Sequence, residues 1–276
     1  MVNKAHLKRI FSRDKTVDSR VLNVLGVQVM RTLMARAIYR MRPELHPSFA
    51  AELETLRREG LLVLPNFLPL PLFEEIRAEA IAVLGDSAPR ASKRSVGSNT
   101  IEFVDIKQHA DVLPSVRKFY GDPRLRGLLE GAERRHVEGH GSCQLERLVQ
   151  GPPTGVHDIE TDLHSDIFYP VHKCWLYLTD VTDASGPFVY VKRSQQLSAR
   201  QLVYLYKESC DSNVGSRRVT PAEFRAMGLE ETVVTCKMNT LVIANTLGYH
   251  RRAAGRPGGQ RIALHESVRS RPFSLR

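Results

Sequence analysis

The order of apolar and polar positions divides the chain near residue 142. Upstream, apolar residues recur at three- and four-residue spacing, the mark of amphipathic helices. Leu22, Leu25, Val29, Leu33 and Ala37 form one such stripe, with Arg20, Arg31 and Arg40 off it, and Pro43 and Pro47 end this arm. Further helices are predicted over 48–60, with Ser48 as N-cap and Gly60 as the stop, over 72–84 behind Pro69 and Pro71, and over 113–119 and 122–129. Short strands are predicted at 61–64 and 101–106, and the polar stretch 85–99 reads as a surface loop. Downstream, short β-like runs occupy 143–150, 174–181, 188–191, 232–237, 240–245 and 261–269, with turn signals such as Gly186-Pro187 and Met238-Asn239 between them. Helices are expected to interrupt them at 198–207 and 221–227. Many short strands after a helical opening predict an α+β, mainly β fold, a barrel or sandwich with helices packed outside. The expected organisation is a basic amphipathic helical arm, 1–42, followed by one domain, 43–276.

Charge changes this picture less than its total suggests. The 276 residues carry a formal +10, which on its face suggests a nucleic-acid partner. Residues 1–42, however, hold ten Lys/Arg against two Asp, a net +8. Residues 250–276 hold seven Arg against one Glu, a net +6, and the span between is left at −4. A nucleic-acid-binding body would carry its basic stripe on the folded domain, so no nucleic-acid partner is expected. Two readings of the arm follow: a helix packed on the domain, or a basic amphipathic contact with a membrane surface or protein partner.

Cysteine usage and apolar run length bound the compartment. Cys143, Cys174, Cys210 and Cys236 lie far apart with no C-x-x-C, and three of them fall in strand-like runs where a buried free thiol behaves as a small hydrophobe. Free thiols suit a reducing compartment. No run reaches the ~18 apolar residues of a membrane span. A cytoplasmic protein is expected, with attachment at a membrane periphery as the second reading.

The candidate chemistry lies in His164-Ser165-Asp166, with His250 and Arg261 later in the chain. On an extended backbone His164 and Asp166 point to the same face, since successive side chains alternate. Two imidazoles and one carboxylate on one face of an octahedral ion leave three positions open, the facial triad of non-heme Fe(II) oxygenases. The planar fork of Arg261 suits a distal carboxylate held by two parallel hydrogen bonds.

The stretch 145–273 resembles the phytanoyl-CoA dioxygenase-like family of Fe(II)/2-oxoglutarate-dependent oxygenases. The residues that carry the resemblance are LHSDIFYP at 163–170, KCWLYLTDVTDASGPFVYV at 173–191 and NTLVIANTLGYHRRAAGRPGGQRIAL at 239–264, with Arg261 eleven residues after His250. The opening at 56–80 is similar to the family's helix, strand and helix before the barrel, so the resemblance covers about 50–273 and leaves out the arm. It implies a double-stranded β-helix, a jelly-roll or cupin-like barrel, with Fe(II), 2-oxoglutarate and O2 as cofactor and cosubstrates. Under it, His164, Asp166 and His250 would be the metal ligands, and Arg261 would bind the far carboxylate of 2-oxoglutarate. Trp175 would line the cosubstrate pocket. No equivalent of a family lysine is found near 99–103. Gln144 or Arg147, on opposite faces of one strand, could assist, with Arg147 favoured. Related halogenases lack the carboxylate of the triad, so Asp166 implies hydroxylation of an aliphatic C–H of a small-molecule, acyl or lipid-like substrate, with succinate and CO2 released. A non-catalytic small-molecule-binding protein on the same fold is the alternative. Arg251 and Arg252 could meet an anionic substrate, and His157 and His172 read as polar loop residues.

Overall fold

The structure is a computed structural model, and it describes residues 10–85, 91–109, 111–137, 141–211, 217–268 and 271–275. Two antiparallel sheets form its centre. The larger is built, edge to edge, from β1 (Leu61–Leu64), β10 (Thr240–Asn245), β6 (His172–Tyr177), β12 (Gln260–Ser267), β4 (Ser142–Gln150), β3 (Asn99–Asp105) and β2 (Ser92–Val96). The smaller runs β8 (Arg217–Arg218), β5 (His164–Ser165), β11 (His250–Arg252), β7 (Phe188–Val191) and β9 (Glu231–Val234). Apart from the consecutive β2, β3 and β4 at one edge, most neighbouring strands are distant in sequence, which is the crossing pattern of the double-stranded β-helix.

Strand alternation sorts the large sheet's side chains into two cores. Cys174 and Leu176, Leu241 and Ile243, Ile262 and Leu264, and Cys143 and Leu145 face outward. There they pack on Phe73, Ile76 and Ala80 of the helix Leu70–Gly85, on Val116 and Phe119 of Pro114–Tyr120, and on Leu125 and Leu128 of Pro123–Glu133. The opposite parity, Tyr177, Val242, Ala244 and Ala263, meets Phe188, Tyr190 and Val234 of the small sheet. Each fully buried aliphatic or aromatic side chain stabilises by about 1.5–3 kcal/mol. The helix-covered outer face is much the larger cluster, so it supplies most of the stability. The inter-sheet layer is thereby free to carry polar groups.

The expected elements of the body are present with shifts at their ends. The polar stretch predicted to be a loop contains β2, whose Lys93, Arg94 and Ser95 are exposed and which is held by pairing to β3 alone. Its lack of an apolar face is why periodicity misses it. The two-residue strands β5 and β8 are likewise too short to carry a period. Helix starts follow ordinary capping chemistry. Asp122 accepts from the Arg124 and Leu125 amides ahead of Pro123, and Ser198 and Thr220 form capping boxes with Gln201 and Glu223. Gly60 ends its helix at φ 78°, where a side chain would strike the Tyr190 hydroxyl. That hydroxyl donates to Asn245 O at 2.9 Å and fixes the turn between β10 and β11.

The arm packs the other way round from its apolar pattern. It forms helices Arg20–Val24 and Val27–Met41, broken at Gly26 with φ 79°. Leu25 and Leu33 of the stripe are 73% and 46% exposed, while Asn23, Gln28, Arg31 and Thr32 are buried. The reason is that residues 10–17 fold back across the polar face and need donors there. Arg31 donates to Ile10 O (2.6 Å), Ser12 O (3.0 Å) and Asp14 O (3.2 Å), and Asn23 Nδ2 to Val17 O (2.8 Å). The Arg31 guanidinium also lies over the Phe168 ring, 4.2 Å from its centroid. Phe168 is two residues beyond Asp166, so the arm braces the loop that carries the candidate site.

Arg31→Ala would leave several carbonyls without donors, at about 1–3 kcal/mol for each group buried unsatisfied. The expected result is cleavage within residues 10–19 by a dilute protease under conditions where the body stays intact. An arm as resistant as wild type would show that the guanidinium does not hold it.

Candidate metal centre

His164 and His250 meet because β5 and β11 pair in a register that places them directly opposite. Their ring centroids are 4.6 Å apart. The same local device aims both rings. His164 Nδ1 donates to Asp162 O at 2.8 Å, and His250 Nδ1 donates to Gly248 O at 2.9 Å, each a carbonyl two residues upstream. With Nδ1 the donor in each, either ring in its neutral form presents the Nε2 lone pair to the site. Asp166 Oδ1 lies 3.8 Å from His164 Nε2 and 3.6 Å from His250 Nε2. Its amide donates to Thr246 O at 3.0 Å and sets the loop against the end of β10.

The electrostatics match this donor set. Burial, then the neighbouring His250, pushes the His164 imidazole down to about 4, which keeps it neutral. Burial alone would raise the Asp166 carboxyl, but hydrogen bonding and charge from His250 and Lys173 outweigh it and hold the group far below the usual carboxylate range. Lys173 Nζ takes Asp166 Oδ2 at 2.6 Å, leaving Oδ1 to face the two Nε2 atoms. One carboxylate oxygen and two imidazole nitrogens, all within 4.8 Å of one another, are the only such cluster among the described residues. Ligand-to-metal distances of about 2.0–2.2 Å let one ion touch all three after small side-chain movements. The cluster therefore fits a divalent metal.

Arg261 stands on the inward parity of β12 with Ala263 and His265. Its Nη1 donates to the Tyr177 hydroxyl at 3.1 Å. Trp175 is inward on β6, stacked on His265 at 5.3 Å between centroids and tilted against Phe188 at 5.0 Å. Arg147 is elsewhere. It pairs across the strands with Ile262, on the helix-covered face, and its guanidinium binds Glu102, which also holds Lys93. The expected cosubstrate contact by Arg147 is thus not supported. The inward neighbours on β4 are Gln144 and Glu146, which share the parity of Arg261.

Arg251 is held bidentately by Glu231 at 2.7 Å, and Arg252 by buried Asp158 at 2.6 Å, so both are committed within the fold. His172 is not a loop residue. It opens β6, buried, with its Nδ1 and its amide on Glu133 Oε1.

Four residues escaped the sequence reading. Lys173 holds Asp166, Glu160 Oε2 lies 3.8 Å from His164 Nε2, and Glu146 pairs with His265 at 3.2 Å. Two of them had a usable signal: once Trp175 is taken as inward, alternation turns Lys173 inward, and likewise His265 follows from Arg261.

A family model described as "Phytanoyl-CoA dioxygenase (PhyH)" matches residues 56–228. No protein of curated function matches the chain in sequence. Among solved structures, the chain is similar to the epimerase SnoN in complex with Fe3+, alpha ketoglutarate and nogalamycin RO, at 17% identity and TM-score 0.58, over 82% of this chain and 87% of that one. It is also similar to AviO1 from Streptomyces viridochromogenes Tue57, at 18% identity and TM-score 0.53, over 80% and 94%. HygX from Streptomyces hygroscopicus, with nickel and 2-oxoglutarate bound, shares 15% identity at TM-score 0.51, over 79% and 85%. These likenesses bear on the fold, which is that of the double-stranded β-helix oxygenases.

Proposed function

Since the chain belongs to the phytanoyl-CoA dioxygenase family, whose members are 2-oxoglutarate-dependent non-heme iron oxygenases, we propose that it hydroxylates an aliphatic C–H of a small molecule at His164, Asp166 and His250. The observation that carries this reading is the convergence of two Nε2 atoms, each aimed by its own backbone carbonyl, on one free carboxylate oxygen. Fe(II) held by these three residues would, with 2-oxoglutarate and O2, supply the oxidising chemistry for hydroxylation, with succinate and CO2 as the coproducts.

The chain's own residues have separate tasks in this scheme. Asp162 O and Gly248 O fix the imidazole tautomers. Lys173 occupies Oδ2 of Asp166, so the carboxylate can offer a single oxygen and leave other positions of an octahedral ion open. Arg261 would receive the far carboxylate of 2-oxoglutarate in its fork, with Tyr177 holding the guanidinium in place. The Trp175–His265 stack would wall the cosubstrate space and limit water, which strengthens charge pairing inside. Fe(II), 2-oxoglutarate and O2 are the cofactor and cosubstrates of this reading, and the nogalamycin RO bound to SnoN supports a small-molecule substrate.

The test is the full-length protein with Fe(II) and 2-oxoglutarate. Succinate is expected to form with the loss of 2-oxoglutarate, slowly alone and faster with a substrate. A protein that binds neither metal nor 2-oxoglutarate would overturn the reading.

A further inference from the structure

The basic arm does not end at its helices. Ahead of them, Arg13 and Lys15 line a cavity of about 340 Å3 together with Asp166, Lys173, Tyr169 and Thr246. Asp166 and Lys173 join this cavity to the candidate metal centre, and neither His164 nor His250 lines it. Of its described lining residues, three are cationic and Asp166 alone is acidic. Asp166 is already provided for: Oδ2 holds Lys173, and Oδ1 faces the imidazoles. Arg13 and Lys15 thus add two cations to Lys173 on the lining of this cavity.

Their placement is built rather than incidental. Gln28 Nε2 donates to Lys15 O at 2.9 Å, and Arg31 grips Ser12 O and Asp14 O on either side of Arg13. The backbone that presents these two exposed residues is thereby pinned. Burial lowers the Lys15 ammonium, Asp166 and Glu160 act the other way, and Lys173 and Arg218, whose strand pairs with that of His164, add to the lowering. Cations gathered at a concave, low-dielectric wall focus their field into it and raise the local concentration of anions.

We propose that Arg13 and Lys15 form a recognition site for an anionic group of the substrate, a carboxylate or phosphate ester, which they hold beside the metal centre. The inference rests on the oxygenase reading for the substrate's role. It is independent of Arg261, which stands on β12 and does not line this cavity.

The test uses the full-length protein loaded with Ni(II) in place of iron and saturated with 2-oxoglutarate, so that Arg261 is already engaged. Inorganic phosphate and, separately, acetate are titrated by calorimetry, with sodium chloride at matched ionic strength as the control. Wild type is expected to bind at least one of the two. A stronger response to phosphate marks a phosphate ester, and a stronger response to acetate marks a carboxylate. The double variant Arg13→Gln, Lys15→Gln should bind that anion at least about 10-fold more weakly, by loss of charge-assisted hydrogen bonds, with unchanged 2-oxoglutarate affinity and melting temperature. If the double variant melts early, Lys15→Gln alone keeps the backbone grip of Gln28 and should still weaken anion binding. Equal anion binding by wild type and variants would overturn the proposal, as would a wild type that binds 2-oxoglutarate but neither anion. Failure of wild type to bind 2-oxoglutarate would instead count against the oxygenase reading.

Discussion

Asp166→Ala is expected to lower Fe(II)-dependent succinate formation by about 10³-fold, because removing one partner of a buried charged cluster typically costs about 3–5 kcal/mol. Two losses coincide in this variant. The facial set falls from three donors to two. The Lys173 ammonium, which now sits 2.6 Å from Oδ2, is left facing the metal position without its counter-charge. Repulsion between that ammonium and a divalent ion adds to the missing ligand. Metal titration of the apoprotein, followed by a succinate assay at saturating 2-oxoglutarate, separates affinity from turnover. Lys173→Met, which keeps all three donors, should cost far less. A wild-type rate in Asp166→Ala would remove this residue from the site. The fold should survive, since the loop's anchor is Phe168 under Arg31 rather than Asp166 itself.

Arg261→Ala is expected to raise the KM for 2-oxoglutarate by about 100-fold, within the range for truncating one member of a buried, hydrogen-bonded charge pair. The loss should fall on cosubstrate binding and leave metal affinity alone, because Arg261 contacts Tyr177 and none of the three donors. Arg261→Lys retains the charge but not the fork, so its KM should lie between the two. Succinate formation at varied 2-oxoglutarate concentrations measures all three proteins. An unchanged KM would place the far carboxylate elsewhere. Glu146 and its partner His265, inward on the adjoining strands, make the local field mixed, and a guanidinium is needed there to favour an anion.

What the sequence disclosed and what it hid follow a physical division. Of the proposed metal donors, His164 and Asp166 were legible because H-x-D is a local pattern on an extended chain, while His250, far along the chain, came from the family resemblance. The helices outside and strands inside were legible wherever an apolar period existed. Hidden features are those set by pairing between remote segments. Arg147 shares its parity with Cys143 and Leu145, and only the packing of those two on the outer helices turns it away from the site. β2 has no apolar residue to signal it before Val96, and its hydrogen bonds to β3 suffice. The arm is the sharpest case. Its apolar stripe predicted the packed face, yet the buried face is the one bearing Asn23, Gln28, Arg31 and Thr32. Carbonyls of a returning segment outweighed apolar area there, since each buried carbonyl without a donor costs as much as a hydrogen bond. Part of the charge excess traced to the arm is therefore structural, in Arg31, and part lines the cavity beside Asp166, in Arg13 and Lys15.

The position of Trp175 has an optical consequence. It is the only tryptophan among 276 residues, and it stands on the inward face of β6, two residues from Lys173 and stacked on His265. Emission excited at the red edge of protein absorbance thus comes from a single indole inside the candidate site, with no background from the rest of the chain. Filling the space beside it, or replacing its stacking partner, must register in that one signal, so the protein carries its own probe of occupancy without a label.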